Sequence, residues 1–103
     1  MHRLNILVIH RDTLILATVL RLINANEKWN GIGAKTDEEA VEMFHQQPVG
    51  IVLFCAGIEH ESEEKLKAVF NRQNPQPIFL QHYGGGSGLL SAEIYEALAK
   101  QAH

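Results

Sequence analysis

Imidazole, thiol and guanidinium groups stand where the apolar runs of this 103-residue chain end. His10 and Arg11 follow Leu4-Asn5-Ile6-Leu7-Val8-Ile9, Cys55 closes the run from Val49 to Phe54, and His82 follows Ile78-Phe79-Leu80-Gln81. His60 lies a few residues past Cys55. Two or three imidazoles with a thiol are a donor set suited to Zn²⁺ or another transition metal. The spacing holds no tight CxxC or HxxxH pair, and the same residues fit loop positions that merely fill space, so neither a metal nor a cofactor is expected. A histidine near Cys55 could activate its thiol, but a cysteine behind five apolar residues reads as an inert core group.

Three further features carry a functional and a structural reading. Gly84-Gly85-Gly86-Ser87-Gly88, ahead of a helix, could cradle an anion on backbone N–H groups. It lacks the lysine of a P-loop and does not follow the first strand, so a flexible turn is expected. Glu59, Glu61, Glu63 and Glu64 could hold a cation or a basic partner, or simply complement the dipole at the start of a helix. Trp29 is either an exposed anchor for a partner or a cover on a sheet edge.

These residues must be positioned by alternating strands and helices. Short apolar runs interleaved with amphipathic segments predict a βαβαβαβα order. The first strand spans roughly Leu4 to Ile9. Asp12 caps a helix running to about Asn24, with an apolar stripe of Leu14, Ile15, Thr18, Val19, Leu22 and Ile23. A weak second strand covers Trp29 to Ala34. Thr36-Asp37-Glu38-Glu39 is a capping box opening a helix with Ala40, Val41, Met43 and Phe44 inward. Val49 to Cys55 is a strand covered on both faces, and Gly57 to Glu61 a loop. Ser62 caps a third helix burying Leu66, Val69 and Phe70. Ile78 to Gln81 is the fourth strand. A last helix starts near Ser91 and buries Ile94, Tyr95 and Leu98. The fold class expected is α/β, a three-layer, doubly wound parallel sheet formed by one domain over residues 1–103.

Composition narrows the function classes. Hydrophobic residues make up 46% and the formal charge is −3, with the basic residues scattered, which argues against a nucleic-acid face. The longest uncharged, mostly apolar stretch, Val49 to Ile58, is half the ~20 residues a membrane-spanning helix needs. The one cysteine and the absence of a secretory pattern after Met1-His2-Arg3 fit a cytoplasmic setting.

Four segments together resemble the receiver domain of bacterial response regulators, across nearly the whole chain. Ile6-Leu7-Val8-Ile9-His10-Arg11-Asp12 is similar to that family's first strand, acidic pair and helix start. Ala34 to Ala40 is similar to its second strand entering the second helix. Pro48 to Phe54 is similar to the third strand that ends in the phosphorylated aspartate. Pro77 to His82 is similar to the fourth strand that ends in a hydroxyl residue. The resemblance implies a flavodoxin-like fold, with His10 and Arg11 at the metal-binding acids, Asp12 beside them, Phe54 at the phosphoacceptor (Cys55 if shifted by one) and His82, or Gln81 in a shifted register, at the hydroxyl. The family's lysine on a fifth strand has no counterpart. From His82 to Leu90 the chain is too short for a crossover helix, which takes at least ~10 residues, so the fourth helix and fifth strand are missing.

Phosphorylating an aspartate requires a carboxylate nucleophile and oxygen ligands for Mg²⁺, and none of the matched positions supplies them. The expectation is a non-enzymatic pseudo-receiver in two-component signal transduction. It would work by protein–protein contact with a kinase, another regulator, or a second copy. Losing the fifth strand leaves the fourth as an edge and uncovers Ile78, Phe79 and Leu80, which favours a homodimer or partner interface there. The competing expectation is a small metal- or thiol-dependent protein using His10, Cys55 and His82. An enzyme with a phosphate held by the glycine loop is a third, without a convincing acid–base pair.

Overall fold

The computed structural model describes residues 3–55, 57–73, 76–82 and 87–101, excepting the side chains of 82, 87–89 and 101. Four parallel strands, β1 (Leu4–Ile9), β2 (Trp29–Ala34), β3 (Ile51–Cys55) and β4 (Ile78–His82), form one sheet in the order β2-β1-β3-β4. Four helices alternate with them: α1 (Thr13–Asn24), α2 (Asp37–Gln46), α3 (His60–Phe70) and α4 (Ser87–Gln101).

The central strands are continuous apolar runs because both faces are covered. On one face Ile6, Val8, Ile51, Leu53 and Cys55 meet Leu16, Val19 and Ile23 of α1 and Leu90 and Ile94 of α4. On the other, Leu7, Ile9, Val52 and Phe54 meet Ala40 and Phe44 of α2 and Leu66 and Phe70 of α3. The rings of Phe44 and Phe70 stack at 4.3 Å between centroids, tying α2 to α3. Strand alternation thus divides the core into two halves, and the doubly wound expectation is met with four βα units.

Helix boundaries and faces differ from expectation in three places. In α1 the buried face is Leu16, Val19 and Ile23, with Leu20 and the expected Leu22 packed beside it. Leu14 is 80% exposed and Ile15 48%, and Thr18 faces outward with its hydroxyl donating to the Leu14 carbonyl at 3.0 Å. The cause lies in β2. A Cβ on Gly33 would stand 2.7 Å from Leu20 Cδ1, so the bare backbone there admits Leu16 and Leu20 and sets the rotation of α1. Second, α3 begins at His60, not at a Ser62 cap. Glu59 is its N-cap residue without a side-chain cap bond, and the Ser62 hydroxyl bonds to Asp37 of α2 instead. Third, α4 begins at Ser87, ahead of the expected Ser91, so Ser87 and Gly88 belong to a helix rather than a turn. Gly84 to Gly86, and the question of an anion cradle there, lie outside the described residues.

Tyr95 is 51% exposed, against the expectation of burial. Its ring lies 5.0 Å from that of Trp29, and its hydroxyl accepts a bond of 2.8 Å from Asn26 Nδ2. Tyr95 therefore lies across Trp29 as a lid on the core. Trp29 itself is buried, at 3% exposure, which removes the reading of an exposed anchor.

Candidate functional site

In a parallel sheet every strand ends on the same edge, where open α/β folds gather ligands. Here that edge carries His10 after β1, Lys35 after β2, Cys55 at the end of β3 and His82 at the end of β4. The register sets Ile9 beside Phe54 and Cys55 beside His82, so the backbone positions of His10, Cys55 and His82 form a row across three neighbouring strands.

Their chemistry does not follow from that row. His10 is 8% exposed, and its Nδ1 accepts the Asp12 N–H at 2.9 Å. With Nδ1 accepting, the ring's N–H donor is on Nε2. The His10 backbone N–H donates to Ala34 at 3.1 Å, extending the β1–β2 ladder by one step. Cys55 is buried, and desolvation pushes its thiol up to about 12, so at neutral pH it stays protonated and weakly nucleophilic. The His82 side chain lies outside the described residues. His60 sits exposed on the first turn of α3. Among the described residues no three metal-capable side chains converge.

Arg11 organises the edge. Its Nη2 stands 2.8 Å from Asp37 Oδ1, its Nε 3.3 Å from Glu59 Oε1, and its Nη1 donates to the Lys35 carbonyl at 3.0 Å. One guanidinium fork thereby joins the β1–α1 junction to the first residue of α2 and the residue that opens α3. Burial raises the Asp37 carboxyl, but hydrogen bonds from Arg11 and Ser62, with the positive charges of Arg11 and Lys65, outweigh it and hold the group below its ordinary value. Burial likewise opposes the Arg11 charge, and Asp37 and Glu59 more than compensate.

Asp12 is engaged elsewhere. Its Oδ1 accepts the Leu14 and Ile15 N–H groups at 2.9 and 3.0 Å, capping α1 as expected. Phe54 is buried, 6.1 Å ring to ring from Phe79, and Lys67 Nζ lies 5.7 Å from its centroid. Of the glutamate cluster, Glu59 faces Arg11, while Glu63 pairs with Lys67 at 3.1 Å and accepts from Gln81 Nε2 at 2.7 Å. Sequence reasoning missed Asp37 and Glu59 as partners of Arg11. The available signal was the shared edge: acids at the starts of the second and third helices must face a base at the end of the first strand.

No protein-family model matches the chain, and no curated protein matches it. Solved structures do. The crystal structure of the signal receiver domain of an HD domain-containing protein from Pseudomonas fluorescens Pf-5 superposes with a TM-score of 0.80 at 16% identity, covering 98% of each chain. A response regulator receiver domain protein from Clostridium thermocellum gives 0.70 at 14%, covering 96% of this chain and 97% of that one. This is the CheY-like receiver fold. A chain from the complex of the phosphorylated P1 domain of CheA3 with CheY6 from R. sphaeroides also shares it, with a TM-score of 0.61 at 16% identity, covering 91% of this chain and 97% of that one. On the receiver fold, the edge held together here by Arg11 is the one where the sequence resemblance placed the acidic pair.

Proposed function

We propose that the chain is a pseudo-receiver, a non-catalytic signalling module that acts by protein contact and is not phosphorylated on aspartate. One observation carries this reading: the guanidinium of Arg11, bound to Asp37, Glu59 and the Lys35 carbonyl, stands where the resemblance calls for a metal-binding acid. A fixed positive charge there repels Mg²⁺ and ties up the nearby carboxylates. Phe54 offers no oxygen to a phosphoryl donor, and the Asp12 carboxylate caps α1.

The partner is a protein: a kinase, another regulator, or a second copy. The complex of CheA3 with CheY6 supports a kinase, and the exposed Leu14 and Ile15 at the start of α1 offer apolar contact area. No helix among the described residues is long and apolar enough to cross a membrane, and a cytoplasmic setting belongs to this reading. The test is incubation of the purified chain with acetyl phosphate and Mg²⁺, followed by intact-mass measurement and calorimetric titration of the metal. The expected result is an unmodified mass and no heat of Mg²⁺ binding. A phosphoryl adduct on an acidic residue overturns the reading.

A further inference from the structure

Helices α2 and α3 start at the sheet edge that Arg11 occupies and run away from it side by side, tied by the Phe44–Phe70 stack. A groove lies between them. Its first part, a cavity of about 390 Å³, has an apolar floor of Val41, Leu66 and Val69, with Glu38 and Glu42 along the α2 wall. Val69 also lines a second cavity of about 470 Å³ further along, beside Phe44, His45 and Arg72, and no carboxylate among the described residues lines that one. Asp37 and Lys65 border the first part. Asp37 is held by Arg11 and Ser62, and the Lys65 charge acts on Asp37. Glu42 accepts from the neutral amide of Gln46 at 3.3 Å, which leaves its charge uncompensated. Glu38 and Arg72 are exposed and make no ion pair among the described residues. The charge left to a partner is therefore negative beside the first turns of α2 and positive at Arg72, just past the end of α3.

We infer that this groove seats one amphipathic helix of a partner protein, antiparallel to α2 and α3, with acidic residues in its first turn and basic residues in its last. This deepens the contact-module reading and rests on it. A channel between two helices takes the apolar stripe of a third. An extended segment finds no backbone groups to pair with, because both walls are helices. From Glu38 to His45 the groove is about two turns long, so apolar residues at i, i+4 and i+7 cover Val41, Leu66 and Val69. Antiparallel seating opposes the partner's dipole to those of α2 and α3. It also sets the basic last turn beside Glu38 and Glu42 and the acidic first turn beside Arg72. Acid first and base last is the charge order that a helix's own dipole favours, so one sequence pattern satisfies both helix and groove. A uniformly basic or uniformly acidic segment meets like charge at one end.

The probe is a synthetic helical peptide of about 15 residues, with glutamates in its first turn, a leucine stripe and lysines in its last turn. It is titrated into the isotope-labelled full chain and followed by NMR, with circular dichroism confirming that each variant folds. The amides of Val41, Glu42, Leu66 and Val69 shift as it binds, and a spin label on its first residue broadens the Arg72 amide more than that of Glu38. Glu38→Lys together with Glu42→Lys sets like charges face to face and weakens binding more than about tenfold. A second peptide, with glutamates in place of the terminal lysines, recovers binding to that variant. Arg72→Glu weakens binding of the first peptide. The absence of binding at millimolar peptide overturns the inference. So do shifts centred elsewhere, stronger broadening at Glu38 than at Arg72, or an affinity indifferent to the charge reversals. None of these results touches the acetyl phosphate test, which decides the underlying reading separately.

Discussion

At the scale of single residues, the edge of the sheet is governed by one cation and the acids it gathers. Replacing Arg11 by Ala removes bonds to three segments at once. The fork is partly solvated, with about a quarter of each side chain of the Arg11–Asp37 pair exposed, so the loss expected in chemical denaturation is about 1 kcal/mol. Arg11→Lys recovers little of it, because an ammonium cannot span Asp37, Glu59 and the Lys35 carbonyl together. The pH dependence has a definite sign. The folded-state Asp37 carboxyl lies below its ordinary 3.8, so its contribution is complete above that value and is lost as the pH falls through the lower folded value. Acid titration of Arg11→Ala therefore shows a smaller loss than the unaltered protein below pH 3.8. At Cys55 a thiol pushed up to about 12 predicts that a disulfide reagent at neutral pH labels the unfolded chain rapidly and the folded chain at the rate of its opening. Rapid labelling of the folded protein would show a thiol more accessible and more ionised than this packing allows.

At the scale of elements, α1 shows how a strand can set the face of a helix. The residues Leu14, Ile15, Val19 and Leu22 make as good an apolar stripe in sequence as Leu16, Val19, Leu20 and Ile23, since both follow helical spacing. Leu16, Val19 and Ile23 are buried, with Leu20 and Leu22 packed against them, because Gly31 and Gly33 leave room for the branched ends of Leu16, Leu20 and Ile23. Truncating Ile23, which is 0% exposed, to Ala is expected to cost about 3 kcal/mol of stability. Leu14→Ala, at an exposed position, changes it by less than about 0.5 kcal/mol. Denaturant midpoints compare the two directly, and equal losses would mean that α1 is turned toward its other stripe. The glycines that weakened β2 as a strand signal are thus what bring α1 onto it.

At the scale of the whole molecule, the shortened topology decides which surfaces remain. With α4 following β4 after residues 83–86, four strands carry two helices on each face and β4 forms the edge of the described sheet. The same frame fits the proposed shift of function from chemistry to contact. A receiver edge closed by Arg11 still displays α1, and the sheet still presents β4.

Sequence by itself determined the order of elements, the parallel sheet, the extent of β1 and β2, the Asp12 and Thr36 caps, and the lack of carboxylates at the matched phosphorylation positions. These are properties of local patterning and residue type, which the chain carries without knowing its neighbours. The tertiary structure decided which stripe of α1 is buried, why Ser62 does not cap α3, how Tyr95 closes over Trp29, and that Arg11 clasps Asp37 and Glu59. Each of those depends on groups brought together by the fold, as far apart in sequence as Arg11 and Asp37, 26 residues, or Asn26 and Tyr95, 69 residues, separations over which periodicity holds no information until the sheet fixes register.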